Sequence, residues 1–225
     1  MRSANGSFWL RWIAANAFAE AVGLGGAFVA GYAVMAGAGP ASQPGALHVA
    51  LAVGLGTLEG AIVGGAQWLV LRERLAALPA HVWVLATAAG AFVAWCLGLL
   101  PSLLMDMSAQ DGAGSARFSA FLTYVLAAIL GAIAGPILAC FQWLALRRHV
   151  ARARVWIPAN AVAWAVGMPL VFVGPALVVE GMPTVEAAPI FLSVTCAAGA
   201  LVGAVHGYAL VRFILPPFRQ ERAAT

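Results

Sequence analysis

Trp12-Ile13-Ala14-Ala15-Asn16-Ala17-Phe18-Ala19-Glu20-Ala21-Val22-Gly23 returns without a gap as Trp156-Ile157-Pro158-Ala159-Asn160-Ala161-Val162-Ala163-Trp164-Ala165-Val166-Gly167, and nine of the twelve positions are identical. Self-similarity over this length marks a supersecondary unit used more than once. Trp83-Val84-Leu85-Ala86-Thr87 is a more diverged copy, so the copies begin about 71 to 73 residues apart. A second stretch recurs between them: Gln67-Trp68-Leu69-Val70-Leu71-Arg72 matches Gln142-Trp143-Leu144-Ala145-Leu146-Arg147, with Gly207-Tyr208-Ala209-Leu210-Val211-Arg212 as a weaker third copy. The chain thus reads as three units of two helices, near 8–78, 79–151 and 152–215, followed by a cytoplasmic tail at 216–225.

The solvent of these helices follows from composition. Of 225 residues 63% are hydrophobic and 9% charged, with a mean hydropathy of +0.94, whereas soluble domains carry roughly a quarter charged residues. Apolar stretches near 12–36, 46–71, 82–104, 118–146, 155–179 and 187–215 are each about 23 to 29 residues long, enough to cross a hydrocarbon core of about 30 Å. The expected fold is an all-α integral membrane protein, a single membrane domain over 1–225. Its six transmembrane helices form three parallel repeats about a pseudo-threefold axis along the membrane normal.

Basic residues give the orientation. Arg2, Arg11, Arg72, Arg74, Arg147, Arg148, Arg152, Arg154, Arg212, Arg219 and Arg222 all fall on one side of this topology. The alternate loops hold Asp106, Asp111, Glu180 and Glu186, with Arg117 as the one basic residue. Positive loops stay inside, so both termini are expected in the cytoplasm and the chain in a bacterial inner membrane. The formal charge of +4 therefore reports topology, and no nucleic-acid partner is expected.

Several chemistries are excluded or disfavoured. All twelve basic residues are Arg, so no lysine Schiff base can form. Cys96, Cys140 and Cys196 are isolated in separate spans, without the spacing of a thiolate metal site, and read as small packing residues. Ala36-Gly37-Ala38 resembles a signal-peptidase site, but the preceding run is too long for a signal peptide and recurs later in the chain. Motifs of hydrolases, metalloproteases and P-loop enzymes are missing, and no enzymatic activity is expected. Nothing in the sequence names a cofactor or metal.

Spacing predicts how the helices pack. Gly56, Gly60, Gly64 and Gln67 share one helical face, reproduced by Gly131, Gly135, Ala139 and Gln142 and, in the third copy, by Cys196, Ala200, Ala204 and Gly207. Small-residue faces let helix backbones approach closely in lipid. Trp12, Trp68, Trp83, Trp143, Trp156 and Tyr208 lie one to two turns from the arginines, the depth of an interfacial aromatic belt. The pattern Gln-Trp-Leu-x-Leu-Arg, followed after a basic loop by Trp-x-x-Ala-x-x-x-Ala, resembles multi-pass membrane proteins of unassigned function from cyanobacteria and other bacteria. That resemblance implies architecture and no activity.

Polar residues inside the spans are the candidate site. Asn16, Gln67, Gln142, Asn160 and His206 all lie about 7 to 9 Å from the nearest cytoplasmic arginine, forming a layer suited first to interhelical hydrogen bonds and second to a ligand ring. His206 has no counterpart in the repeat as aligned above, and a lone imidazole is open to titration, metal ligation or pigment binding. Glu20 and Glu59 lie deeper, about 13 and 20 Å in from Arg11 and Arg72, with no intramembrane Arg or Lys to neutralise them. A carboxylate at that depth costs several kcal/mol unless protonated, paired, hydrated or bound to a cation. The repeats place Trp164 opposite Glu20, and Ala134 and Gly199 opposite Glu59, so the scaffold itself calls for neither acid. Together they suggest a small permease or ligand-binding protein in which the pair handles a proton or cation, its small-molecule or ion ligand unspecified. The alternative is a non-catalytic subunit or assembly factor whose partners are other membrane subunits of a pigment or redox complex.

Overall fold

The computed structural model describes residues 2–38, 46–110 and 120–215. Asp111, Arg117 and the tail 216–225 with Arg219 and Arg222 fall outside the described residues. Among the described residues the chain is helical with no strand, and six helices are long and apolar enough to cross a membrane. In lipid a backbone must satisfy its own N–H and C=O groups, which the helix does within one segment.

The first span is one rod: α1 (Arg2–Glu20) runs through a π turn (Ala21–Gly25) into α2 (Gly26–Ala38). It begins nearly three turns before Trp12, since α1 continues toward the N-terminus past the apolar stretch as far as Arg2. The others are α3 (Ala46–Leu71), α4 (Ala80–Gln110), α5 (Ala120–Leu146), α6 (Trp156–Leu177) and α7 (Thr184–Ala209), the last ending in a second π turn (Leu210–Ile214). Successive helices pack side by side, and α7 closes on α1 to complete a ring.

Glycines set three close seams in that ring. On α3, Gly60 faces Ala88 and Ala91 while Gly64 faces Val84 and Thr87 of α4. On α5, Gly131 lies against the Trp164 backbone and Gly135 against the Asn160 carbonyl of α6. On α7, Gly199 faces Glu20 and the Asn16 carbonyl, and Gly203 faces Ile13 and Asn16 of α1. A Cβ on Gly199 would stand 2.6 Å from that carbonyl oxygen, so at this contact hydrogen in place of a side chain is what admits the neighbouring backbone.

The α7 face differs from the expected one. Its buried residues include Thr195, Gly199, Gly203 and His206, with Gly207 beside them, whereas Cys196 is exposed and Ala200 and Ala204 are half-buried. The expected register was counted back from Arg212, and the π turn at Leu210–Ile214 places one surplus residue between that arginine and the seam. Cys96 and Cys140 are likewise exposed, not packed.

A second correction concerns the tryptophans. Trp12, Trp83 and Trp156 are fully buried and form the centre of the main core with Phe8, Leu71, Leu78, Leu146 and Leu210. Trp156 stands 6.1 Å from Trp12 and 6.3 Å from Trp83, ring centre to ring centre, at 77° and 55°, the tilted geometry that aromatic quadrupoles favour. Only Trp68, Trp143 and Tyr208 remain at the periphery, where Arg72 and Arg147 lie over the first two rings at 5.3 and 5.0 Å. Depth alone suggested a belt, but the inner three tryptophans carry Asn16, Thr87 and Asn160 four residues on, and that shared face is turned inward. The bundle is therefore plugged at its arginine-bearing end.

Candidate functional site

Above the tryptophan plug lies the polar layer, and every expected member of it is buried: Asn16, Gln67, Gln142, Asn160 and His206. Each inward tryptophan fixes the residue four positions later through its own carbonyl. Asn16 Nδ2 donates to Trp12 O at 2.7 Å, Asn160 Nδ2 to Trp156 O at 2.9 Å, and Thr87 Oγ1 to Trp83 O at 2.9 Å.

Facing groups then join across the ring. Gln67 Nε2 donates to Asn16 Oδ1 at 2.9 Å, and Gln142 Nε2 donates to both Gln67 Oε1 and Thr87 Oγ1 at 3.0 Å. Trp156 Nε1 donates to Gln142 Oε1 at 2.8 Å, and Trp12 Nε1 donates to His206 Nδ1 at 3.0 Å. Because His206 Nδ1 accepts, its ring is neutral with the proton on Nε2. The amides thus spend their donors on one another, on Thr87 and on the tryptophan carbonyls, and the layer forms hydrogen bonds between helices. Trp83 is the exception to this satisfaction: its Nε1 is buried without a hydrogen-bond partner.

The two acids sit deeper. Glu59 is 7% exposed and its Oε2 accepts from Trp95 Nε1 at 2.7 Å. Trp95 reaches it by lying over Gly56, where any side chain would collide with the indole. Glu59 also packs on Gly23 inside the first π turn, where a Cβ would stand 2.9 Å from Glu59 Cγ. Glu20, 3% exposed, immediately precedes that turn and packs on Gly199, and its Oε2 has no hydrogen-bond partner. Gly23, on which Glu59 packs, lies three residues on from Glu20 in the first span. Single π turns are often found at functional sites, because the surplus residue redirects side chains.

Glu59 opens onto a chamber of about 240 Å³ bounded by α2 to α6 and the π turn, with Leu24, Phe28, Trp95, Trp164, Met168 and Phe172 among its walls. Glu20 does not line it. A second, larger cavity of about 560 Å³ shares Phe28 and Trp95 with the first and continues along α2, α3 and α7 past Tyr32, Met35, Leu51 and Phe191. Among the described residues no three His, Cys, Asp or Glu side chains gather as a metal set would.

Sequence reasoning missed Thr87, Trp95 and the three inward tryptophans as partners of the candidate residues. For Trp12, Trp83, Trp156 and Thr87 the signal was present in the four-residue spacing. Trp95 could not be found this way, since its role depends on Gly56 of another helix. Compared with protein-family models, curated proteins and solved structures, the chain gives no match.

Proposed function

We propose that this protein is a small permease or ligand-binding protein of a bacterial inner membrane, without enzymatic activity, in which Glu20 and Glu59 hold a proton or a cation. The observation that carries the reading is Glu59 lining an apolar chamber in mid-span and packing on Gly23, three residues on from the buried Glu20, whose Oε2 is unpartnered. Two carboxylates buried in neighbouring segments in hydrocarbon do not both ionise unaided, so the pair retains a proton or recruits a positive charge.

The reading includes the threefold plan, with both termini in the cytoplasm. Its support is a set of matching contacts. Trp12 with Asn16, Trp83 with Thr87 and Trp156 with Asn160 make the same back-bond, and Trp12 donates to His206 as Trp156 donates to Gln142. On this register His206 takes the place of Gln67 and Gln142, and the counterparts of Glu59 become Ala134 and Ala198. Glu20 then matches Ala91 and Trp164. Both acids depart from the plan within one helix pair, which favours a specific task over scaffold maintenance.

The test is proton flux into proteoliposomes carrying an internal pH dye, driven by an imposed membrane potential. Glu20→Gln and Glu59→Gln are expected to reduce the flux sharply. Equal flux in the parent and both variants would remove the proposal, and a stable complex recovered in mild detergent would put the subunit reading in its place.

A further inference from the structure

The chamber lined by Glu59 narrows what that acid would bind. Its volume of about 240 Å³ compares with an apolar cavity of roughly 150 Å³ that holds one benzene ring, so it accommodates on the order of ten non-hydrogen atoms. Among its lining residues Glu59 is the sole charged side chain, and the walls are hydrocarbon and aromatic: Phe28, Trp95, Trp164 and Phe172.

Each ligand class meets this lining differently. A bare divalent or alkali cation needs a shell of roughly six or more oxygens, and the lining offers a single carboxyl group. An anion would face a carboxylate and no donor cluster. A neutral hydrocarbon fits the volume but gives no reason for a buried acid whose solvation costs several kcal/mol. A cation whose charge is spread over alkyl or aryl groups satisfies every wall at once: the carboxylate neutralises it, indole and phenyl faces attract it through their quadrupoles, and its carbon body fills the apolar space.

We infer that the chamber binds a small lipophilic organic cation, an amine or quaternary ammonium of about ten non-hydrogen atoms, with its charged centre at Glu59 and its body against Phe28, Trp95 and Trp164. The adjoining cavity of about 560 Å³, which shares Phe28 and Trp95, takes the extension of a longer ligand. This rests on the reading of Glu59 as a charge-handling group and adds the class of its ligand.

The probe is benzyltrimethylammonium, compared with neopentylbenzene, its uncharged isostere. Both are titrated into the protein in zwitterionic nanodiscs, with saturation-transfer NMR and tryptophan emission as readouts. The expected result is saturable binding of the cation at least about tenfold tighter than the isostere, lost in Glu59→Gln, with binding of the isostere retained. Trp95→Phe is expected to weaken the cation without abolishing it. Equal affinity for the two probes in the unsubstituted protein overturns the inference even if Glu59→Gln does not fold, as does unchanged cation binding in that variant. Proton flux measured without added cation separates the two proposals: if it still depends on Glu59 while benzyltrimethylammonium fails to bind, the ligand class is wrong and the proton reading stands.

Discussion

Replacing Gln142 by Leu isolates the contribution of the polar layer to the bundle. The side chain is fully buried and takes part in three hydrogen bonds: donations to Gln67 and Thr87, and acceptance from Trp156. At an average of ~0.6 kcal/mol per interhelical bond in a membrane protein, losing them destabilises by about 2 kcal/mol. Leucine is nearly isosteric, so cavity formation adds little, but the Trp156 N–H is then left without a partner in a fully buried site. An unpaired buried donor costs about 1–3 kcal/mol, which raises the upper end of the expected loss to about 4 kcal/mol. Steric-trap unfolding in bicelles measures this directly, with Leu144→Ala, two residues on, on the opposite helix face and 47% exposed, as the control for lipid-facing change. In a double-mutant cycle with Gln67→Leu the two effects are expected to fall short of additivity, since the residues share a bond. A loss indistinguishable from the control, below about 0.5 kcal/mol, would mean that the hydrogen-bonded layer does not hold the helices together.

The tryptophan plug makes an opposite pair of expectations. Trp83→Phe removes a buried donor that has no partner and is expected to be neutral or stabilising by up to about 1 kcal/mol, whereas Trp156→Phe breaks the bond to Gln142 and is expected to cost about 1–2 kcal/mol; the same unfolding assay ranks them. Glycines on α3 separate by face: Gly60→Val, which meets Ala91 and the Thr87 carbonyl, is expected to cost more than about 2 kcal/mol, while Gly65→Ala, with open space around it, should stay within about 0.5 kcal/mol of the parent. Comparable losses at the two positions would argue against the α3–α4 seam.

Much of the fold was readable because its determinants are local. The bounds of α3 follow from hydropathy, and its glycine face from a four-residue period that survives any reasonable packing. The α7 face was displaced by one residue because a π turn is invisible to an alignment that counts uniform helical turns back from Arg212. The three inward tryptophans were placed at the rim because depth was read without azimuth. Glu20 and Glu59 stood out from cost alone, since no Arg or Lys lies at their depth. Which of them reaches a cavity depends on how Gly56 admits Trp95 from another helix, a contact between segments that sequence spacing does not encode.

The uneven filling of the bundle along its axis has a mechanical consequence. Interlocked indoles and hydrogen-bonded amides make the arginine-bearing end stiff, because close-packed interiors compress little. The opposite half, with two partly open pockets beside α2, is less closely packed. Any deformation of this bundle is therefore expected to pivot about Trp12, Trp83 and Trp156, as ribs do about a fixed hub, and to change the width of the half that contains Glu59.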